Sequence, residues 1–176
     1  MKYLIAYAST HGQTRRIARH AMDRLHDIGH SVELLPLIEA EGLDPRRFDG
    51  VILAGSLHAG HYQPAMTEFA SLHADRLNTM PTLFLAVSLA AAGHDTDDWR
   101  GLDTALHDLT EATSWHPGHV THVAGAYKPS AYDIVTRLIM RRIIAKKDPG
   151  TDLSADHDFT DWPALDAALE GWLEQA

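Results

Sequence analysis

The chain contains no cysteine, which excludes disulfides, thiolate metal centres, iron–sulfur clusters and cysteine nucleophiles. It has no apolar run of membrane-spanning length. Its apolar start is too short, and too poor in leading charge, for a secretory leader, so the cytosol is the expected compartment. Positive charge is also scarce: 15 Lys and Arg stand against 24 Asp and Glu, a formal net charge of −9. Nucleic-acid binding needs basic surface to neutralise phosphates and is not expected. Repeats and low-complexity segments are absent. What is left is an ordinary globular composition, 45% hydrophobic and 22% charged over 176 residues. That length suits one domain, residues 1–176, with a substantial core.

Near the start, Tyr3 to Ala8 reads as a buried strand. Ile17, Ala21, Leu25 and Ile28 then recur at helical spacing, so the chain runs strand, tight loop, helix. The loop is Ser9-Thr10-His11-Gly12-Gln13-Thr14. A helix opening there leaves its first N–H groups unpaired at the positive end of the dipole, a seat for phosphate. Ser9, Thr10 and Thr14 add hydroxyl donors, and Gly12 lets backbone approach an anion. One hydroxyl before a helix is usually a cap; three hydroxyls and a glycine in six residues point to an anion. The loop fits neither G-x-G-x-x-G nor the Walker pattern. Ser/Thr-x-x-Gly-x-Thr behind a first strand instead resembles the phosphate loop of flavodoxins, which hold flavin mononucleotide (FMN).

Helix one is expected from Gln13 to Ile28, ending at Gly29, and a short second strand from Val32 to Leu35. Pro36 to Gly50 reads as a loop with one helical turn. Val51 to Gly55 is an apolar third strand, followed by a loop from Ser56 to Gln63 and a helix from Pro64 to about Asn78. Thr82 to Ser88 is the fourth strand, Leu89 to Asp98 a small-residue loop, and Leu102, Leu106 and Leu109 mark another helix. His119 to Ala126 is the fifth strand. A last helix opens near Thr160 or Asp161, with Trp162, Leu165, Leu169, Trp172 and Leu173 on one face. Strands alternating with helices predict an α/β fold with a parallel sheet. Such folds bind ligands outside the carboxyl ends of their strands, so the loops after strands one, three and four should converge.

Two other features bear on function. His116, His119 and His122 invite a metal reading, but 119 and 122 fall on opposite faces of a strand, so no metal is expected. Tyr132 to Lys147 carries Arg137, Arg141, Arg142, Lys146 and Lys147 among Ile134, Val135, Leu138, Ile139, Ile143 and Ile144. It has no acid after Asp133, a local charge of +4 in a protein of −9. A basic face opposite an apolar one suits a membrane-surface or partner-docking helix as well as an ordinary solvated helix.

The chain resembles the flavodoxin-like protoporphyrinogen dehydrogenases of the menaquinone-dependent bacterial type. The likeness runs nearly end to end. It rests on Gly12-Gln13-Thr14-Arg15, Gly60-His61-Tyr62, the stretch from His73 to Pro81, Ala124-Gly125-Ala126, Arg137-Leu138-Ile139-Met140 and Thr160-Asp161-Trp162.

The resemblance implies a flavodoxin-like, doubly wound, five-stranded parallel sheet with helices on both faces. It implies FMN with its phosphate on residues 9 to 14. The isoalloxazine would lie between His58, Ala59, Gly60, His61 and Tyr62 on one side and Ser88, Leu89, Ala90, Ala91, Gly93 and His94 on the other. Tyr62 would either stack on the ring or pack on the sheet edge. His58 and His61 would either hydrogen-bond flavin or substrate, or sit in solvent. The implied reaction oxidises protoporphyrinogen IX to protoporphyrin IX in haem synthesis, with a quinone as acceptor. The protein would be cytoplasmic or peripheral on the inner face of the cytoplasmic membrane. The flavin carries the redox chemistry, so no side chain is singled out as a catalytic acid or base. Other readings are an FMN quinone reductase and a flavodoxin-like electron carrier docking protein partners. One departure stands out. A basic loop is expected after strand four to seat porphyrinogen carboxylates, whereas Ala91-Ala92-Gly93-His94-Asp95-Thr96-Asp97-Asp98 is small and acidic and would repel them.

Overall fold

The computed structural model describes residues 1–176. β1 (Lys2–Ala8) leads into α1 (Gln13–Asp27) and then β2 (Ser31–Pro36). β3 (Gly50–His58) turns back into a two-residue β4 (His61–Tyr62), followed by α2 (Pro64–Leu77), β5 (Thr82–Ser88), α3 (Thr96–Thr113) and β6 (His119–Ala124). The remaining elements are β7 (Ala126–Tyr127), α4 (Ile134–Lys147), β8 (His157–Asp158) and α5 (Trp162–Leu173).

The parallel strands lie in the order β2-β1-β3-β5-β6, with β4 as a short sixth strand antiparallel to β3. This is a flavodoxin-like α/β sheet whose order reverses between β1 and β3. Both faces are covered because the strands are apolar on both. In β1, Leu4, Ala6 and Ala8 pack towards α2 and α3 with Met66, Phe69, Phe84 and Trp115. Tyr3 and Ile5 point the other way, to Ile17, Leu25, Leu165 and Trp172 of α1 and α5. Side chains alternating across the pleat therefore feed two cores, which is why these strands read as continuous hydrophobic runs.

α1 and α5 are further joined by charge. Arg16 lies 2.7 Å from Asp158 and 4.9 Å above the Trp162 ring; His20 reaches Asp166 at 2.6 Å, and Arg24 pairs with Glu170.

The structure corrects several sequence expectations. Residues 37–47 hold two short 3₁₀ turns, Leu37–Glu39 and Pro45–Arg47, where one was expected. Ser56 to Gln63 is largely a hairpin: β3 continues to His58 and pairs His58 with His61. Ala59 and Gly60 take φ of 49° and 80°, the positive pair a twist-compatible two-residue turn requires. The fifth parallel strand stops at Ala124, and Gly125 hands the chain to the β7–β8 ribbon, which pairs Ala126 with Asp158. Asp95 to Asp98 is no loop. Asp95 caps α3, accepting from the N–H groups of Asp97 at 2.9 Å and Asp98 at 3.1 Å. Asp97 and Asp98 sit in the first turn, where the helix dipole favours anions. These carboxylates open a helix, and Asp98 among them is paired with Lys147.

Candidate functional site

A cavity of about 330 Å³ opens at the carboxyl ends of β1, β3 and β5, beside the switch in strand order. The β1–α1 loop contributes Ser9, His11, Gln13 and Thr14; the β3 hairpin contributes Ser56 to Gly60; the end of β5 contributes Val87 to Ala90. Gly125, Ala126 and Tyr132 close one side. α4 supplies Thr136, Met140, Ile143 and Lys147, with Asp98 of α3 beside Lys147.

The β1–α1 loop is built to receive something. α3, α4 and α5 each have an Asp cap whose carboxylate occupies the first-turn N–H groups. α1 instead starts on Gly12, with φ of 92° and no side-chain cap. A Cβ at Gly12 would meet no protein atom within 4 Å, so space stands open above the loop. The Ser9 hydroxyl accepts from the Gly12 N–H at 3.0 Å, holding the turn tight. Thr14 is buried on the cavity wall. Buried Gln13 donates through Nε2 to Asp158 Oδ1 at 3.0 Å and Thr160 Oγ1 at 2.9 Å. Its Oε1 is left without a protein partner beside the cavity. An uncapped helix start, open space at Gly12 and an orphaned amide oxygen fit a phosphorylated, hydroxyl-bearing chain such as that of FMN.

A hydrogen-bonded string ties this loop to the β3 hairpin. Gln63 Nε2 donates to Thr10 Oγ1 at 3.2 Å and to the Ser56 hydroxyl, while Gln63 Oε1 accepts from the Ser56 N–H at 3.2 Å. The His58 ring meets the Ser56 hydroxyl at 3.2 Å and stands edge-on to His11, centroids 5.6 Å apart. His11 in turn contacts Tyr132 at 4.7 Å.

Loss of water around His11 lowers its pKa, against the raising effect of Asp133 and alongside the lowering effect of Lys128. His58 is lowered first by desolvation and then by His11. Both rings therefore favour the neutral form, each with one donor and one acceptor nitrogen.

Ten of the residues anticipated from sequence line the cavity: Ser9, His11, Gln13, Thr14, His58, Ala59, Gly60, Ser88, Leu89 and Ala90. Thr10 is turned to Gln63, and Gly12 caps α1 without lining the wall. Tyr62 is placed in the core, edge-on to Phe84 at 5.1 Å, and burial pushes its hydroxyl up to about 12. His61 lies with it on the outer side of the hairpin, around a smaller hollow near Ala105 and Leu109. Ala91 donates its N–H to the Ser88 hydroxyl at 3.1 Å, Gly93 accepts from Trp99 Nε1 at 2.8 Å, and His94 is exposed. His119 faces Gln175 Oε1 at 3.1 Å, and His122 packs on Trp99 at 5.4 Å.

Sequence reasoning missed Ser56, Tyr132, Gly125 and the α4 wall. For α4 a signal existed: Thr136, Met140, Ile143 and Lys147 recur at helical spacing. The basic and apolar residues do not separate into opposite faces as expected. Ile134, Val135, Leu138 and Ile139 are exposed together with Arg141, Arg142 and Lys146. Arg137 folds back onto the carbonyls of Pro129 and Tyr132, at 3.2 and 3.4 Å, and Lys147 pairs with Asp98.

Comparison with known proteins agrees with this geometry. The flavodoxin domain family matches residues 4–154. Protoporphyrinogen IX dehydrogenase [quinone] of Escherichia coli K12 is 30% identical over 92% of this chain and 89% of its own. The protein of that name from Leishmania major is 24% identical over 93% of this chain and 71% of its own. Among solved structures, a Streptococcus pneumoniae TIGR4 flavodoxin superposes with a TM-score of 0.61 at 17% identity, covering all of both chains. Flavodoxin 2 from Bacillus cereus, also at 17% identity and full coverage of both chains, gives 0.56. The fold, the β1–α1 loop and the match over most of the sequence agree: the chain belongs to the flavodoxin domain family.

Proposed function

We propose that the protein is an FMN-dependent oxidoreductase that oxidises protoporphyrinogen IX to protoporphyrin IX and passes the electrons to a quinone. The observation that carries the reading is the uncapped start of α1, opening on a cavity at the sheet's switch point, in a chain 30% identical to a dehydrogenase of that activity. Whole-chain similarity to the dehydrogenase favours this over a plain electron carrier or a quinone reductase. The chain acts as a single unit over residues 1–176.

The N–H groups opening α1, with Ser9, Thr10, Gly12 and Thr14, would hold the phosphate. His11 and Gln13 would serve the ribityl chain, Gln13 Oε1 being free to accept from a hydroxyl. His58 to Gly60 and Ser88 to Ala90 would hold the ring. Bound FMN would supply the electron-transfer chemistry; the chain's own residues bind, orient and exclude water. Neutral His58 and His11, held by Ser56 and Tyr132, present hydrogen-bonding nitrogens to whatever enters beside them. Of the basic residues of α4, Arg141, Arg142 and Lys146 belong to a peripheral membrane contact, while Arg137 and Lys147 are turned to the protein itself. No helix is long and apolar enough to cross a membrane.

The test is anaerobic oxidation of protoporphyrinogen IX by FMN-loaded protein with a menaquinone analogue as acceptor. Quinone-dependent porphyrin formation is expected. Tight FMN binding without porphyrin formation would leave a carrier or a quinone reductase.

A further inference from the structure

The β3 hairpin has cavities on both sides. Gly60 lines the main cavity and also a separate hollow of about 190 Å³. His61, Tyr62 and Thr67 form one wall of that hollow, and α3 forms the other with Ala105, Asp108 and Leu109. Ala105 and Leu109 are buried and give it an apolar floor, whereas His61, Asp108 and Ala112 are exposed at its rim. Gly60 carries no side chain, so at that point one turn of backbone separates the two spaces.

One polar atom on this side of the hairpin is unaccounted for. The Tyr62 hydroxyl is buried and has no hydrogen-bond partner. A buried hydroxyl has given up its water, and without a partner nothing offsets that loss. Burial also pushes its pKa up to about 12, so at neutral pH it keeps its proton and remains a donor.

Size and charge narrow what the hydroxyl serves. At about 190 Å³ the hollow lies below the roughly 300 Å³ at which pockets begin to take drug-sized ligands. It admits a one- or two-ring molecule and excludes a tetrapyrrole. No Lys or Arg lines it, and Asp108 stands at its rim, so an anion is disfavoured. Small apolar walls with one buried donor suit a neutral, flat ring that carries a carbonyl.

We propose that this hollow seats the ring of the quinone acceptor, one of whose carbonyls accepts from the Tyr62 hydroxyl. The proposal rests on the flavin reading above and gives the acceptor a place apart from the porphyrinogen. The quinone takes two electrons across the hairpin from reduced flavin, takes two protons from water at the exposed rim, and leaves as quinol. The two hydrogens of the reduced flavin are released to water as protons on its own side of the hairpin. Donor and acceptor then need not exchange within one cavity of about 330 Å³.

FMN-loaded, ¹⁵N-labelled protein would be titrated with menadione, a tailless naphthoquinone. Saturable amide shifts are expected at Gly60, His61, Thr67, Ala105 and Leu109, with Ser88 to Ala90 and Gly125 unmoved. Tyr62→Phe removes the donor but keeps the ring against Phe84, and should weaken menadione about three- to tenfold. Ala112→Trp fills the rim from an exposed position and should weaken it roughly tenfold or more. In oxygen-free stopped flow, menadione should reoxidise the flavin of both variants more slowly by similar factors. Reduction of that flavin by protoporphyrinogen IX should keep its rate.

Shifts at Ser88 to Ala90 in place of the hollow, or no saturable shift, overturn the site. Binding in the hollow with unchanged reoxidation in both variants overturns its role as the seat of the acceptor. Equal slowing of both half-reactions overturns the separation of the two substrates. The shift map of the unsubstituted protein stands whether or not either variant folds. FMN uptake, titrated by its fluorescence, tests the flavin reading by itself: protein that takes up no FMN fails that reading, whereas FMN-loaded protein without shifts at the hollow fails this one.

Discussion

Lys147, in the last turn of α4, pairs with Asp98 in the first turn of α3. The pair closes one corner of the cavity and fastens a helix that otherwise buries only Ile144. Both side chains keep partial access to water, at 21% and 33%, so the stability involved is modest, about 1 kcal/mol. Lys147→Ala is therefore expected to lower Tm by about 2–4 °C. It should also speed amide exchange between Asp133 and Gly150 while leaving exchange in β1, β3 and β5 unchanged. Uniform acceleration along the chain would show that the pair holds the whole fold instead.

The loop after β1 predicts FMN affinity. A hydroxyl donating to a charged phosphate contributes about 1.5–3 kcal/mol, so Thr14→Ala should weaken FMN roughly 10- to 150-fold. Gly12→Val places a β-branched residue at a φ of 92°, a strained conformation for any L side chain, and fills the open space above the loop. It should weaken FMN as well. Titration of apoprotein by flavin fluorescence measures both; unchanged affinity in both variants removes the phosphate from this loop.

Gln13 links the first helix to a segment almost 150 residues later, donating at 3.0 Å to Asp158 and at 2.9 Å to Thr160. Gln13→Ala leaves the Thr160 hydroxyl and one oxygen of Asp158 short of a donor, a cost of about 1–3 kcal/mol. Thermal unfolding should shift down by several degrees. Gln13→Glu is expected to be worse, because it sets a carboxylate against Asp158. A Glu variant as stable as the original would mean that the amide is dispensable.

Stability should fall on mild acidification, and the sign follows from the histidines. Burial lowers the pKa of His11, His58, His73 and His122 below the usual value near 6.5. The unfolded chain therefore binds more protons than the folded one just below that pH, and stability rises with pH through this window. The carboxylates lowered by hydrogen bonds and nearby charges, including Asp133 and Asp158, act further down, below their ordinary value of 3.8. Urea midpoints at pH 7.5 and 5.5 isolate the histidine window. His11→Asn/His58→Gln should narrow the difference between them, and parallel behaviour would show that these rings keep their charge freely.

Much of this was legible in the residues because it depends on local pattern. Val51 to Ala54 and Thr82 to Ser88 are apolar without alternation, which only a sheet covered on both faces accommodates. The loop from Ser9 to Thr14 carries its own chemistry, hydroxyls and a glycine at a helix start. The hairpin at Ala59-Gly60 was missed because Ala is an unusual residue at positive φ, and pairing of His58 with His61 holds it there. The start of α3 at Asp95 was missed, and residues to Asp98 were read as loop, because capping depends on where a helix begins and boundaries are weakly encoded.

The sequence by itself determined the layer architecture, the anion-ready loop and the lack of any thiol chemistry, all properties of neighbouring residues. Only the tertiary structure decided that Tyr62 turns into the core and that Gln13 is tied to Asp158. It likewise decided that Thr136, Met140, Ile143 and Lys147 face the cavity while Leu138, Arg141 and Arg142 face outward. The reason is rotational. Apolar residues lie on both the inner and the outer side of α4, so hydrophobicity does not declare which helical stripe is inner, and the body it packs against chooses.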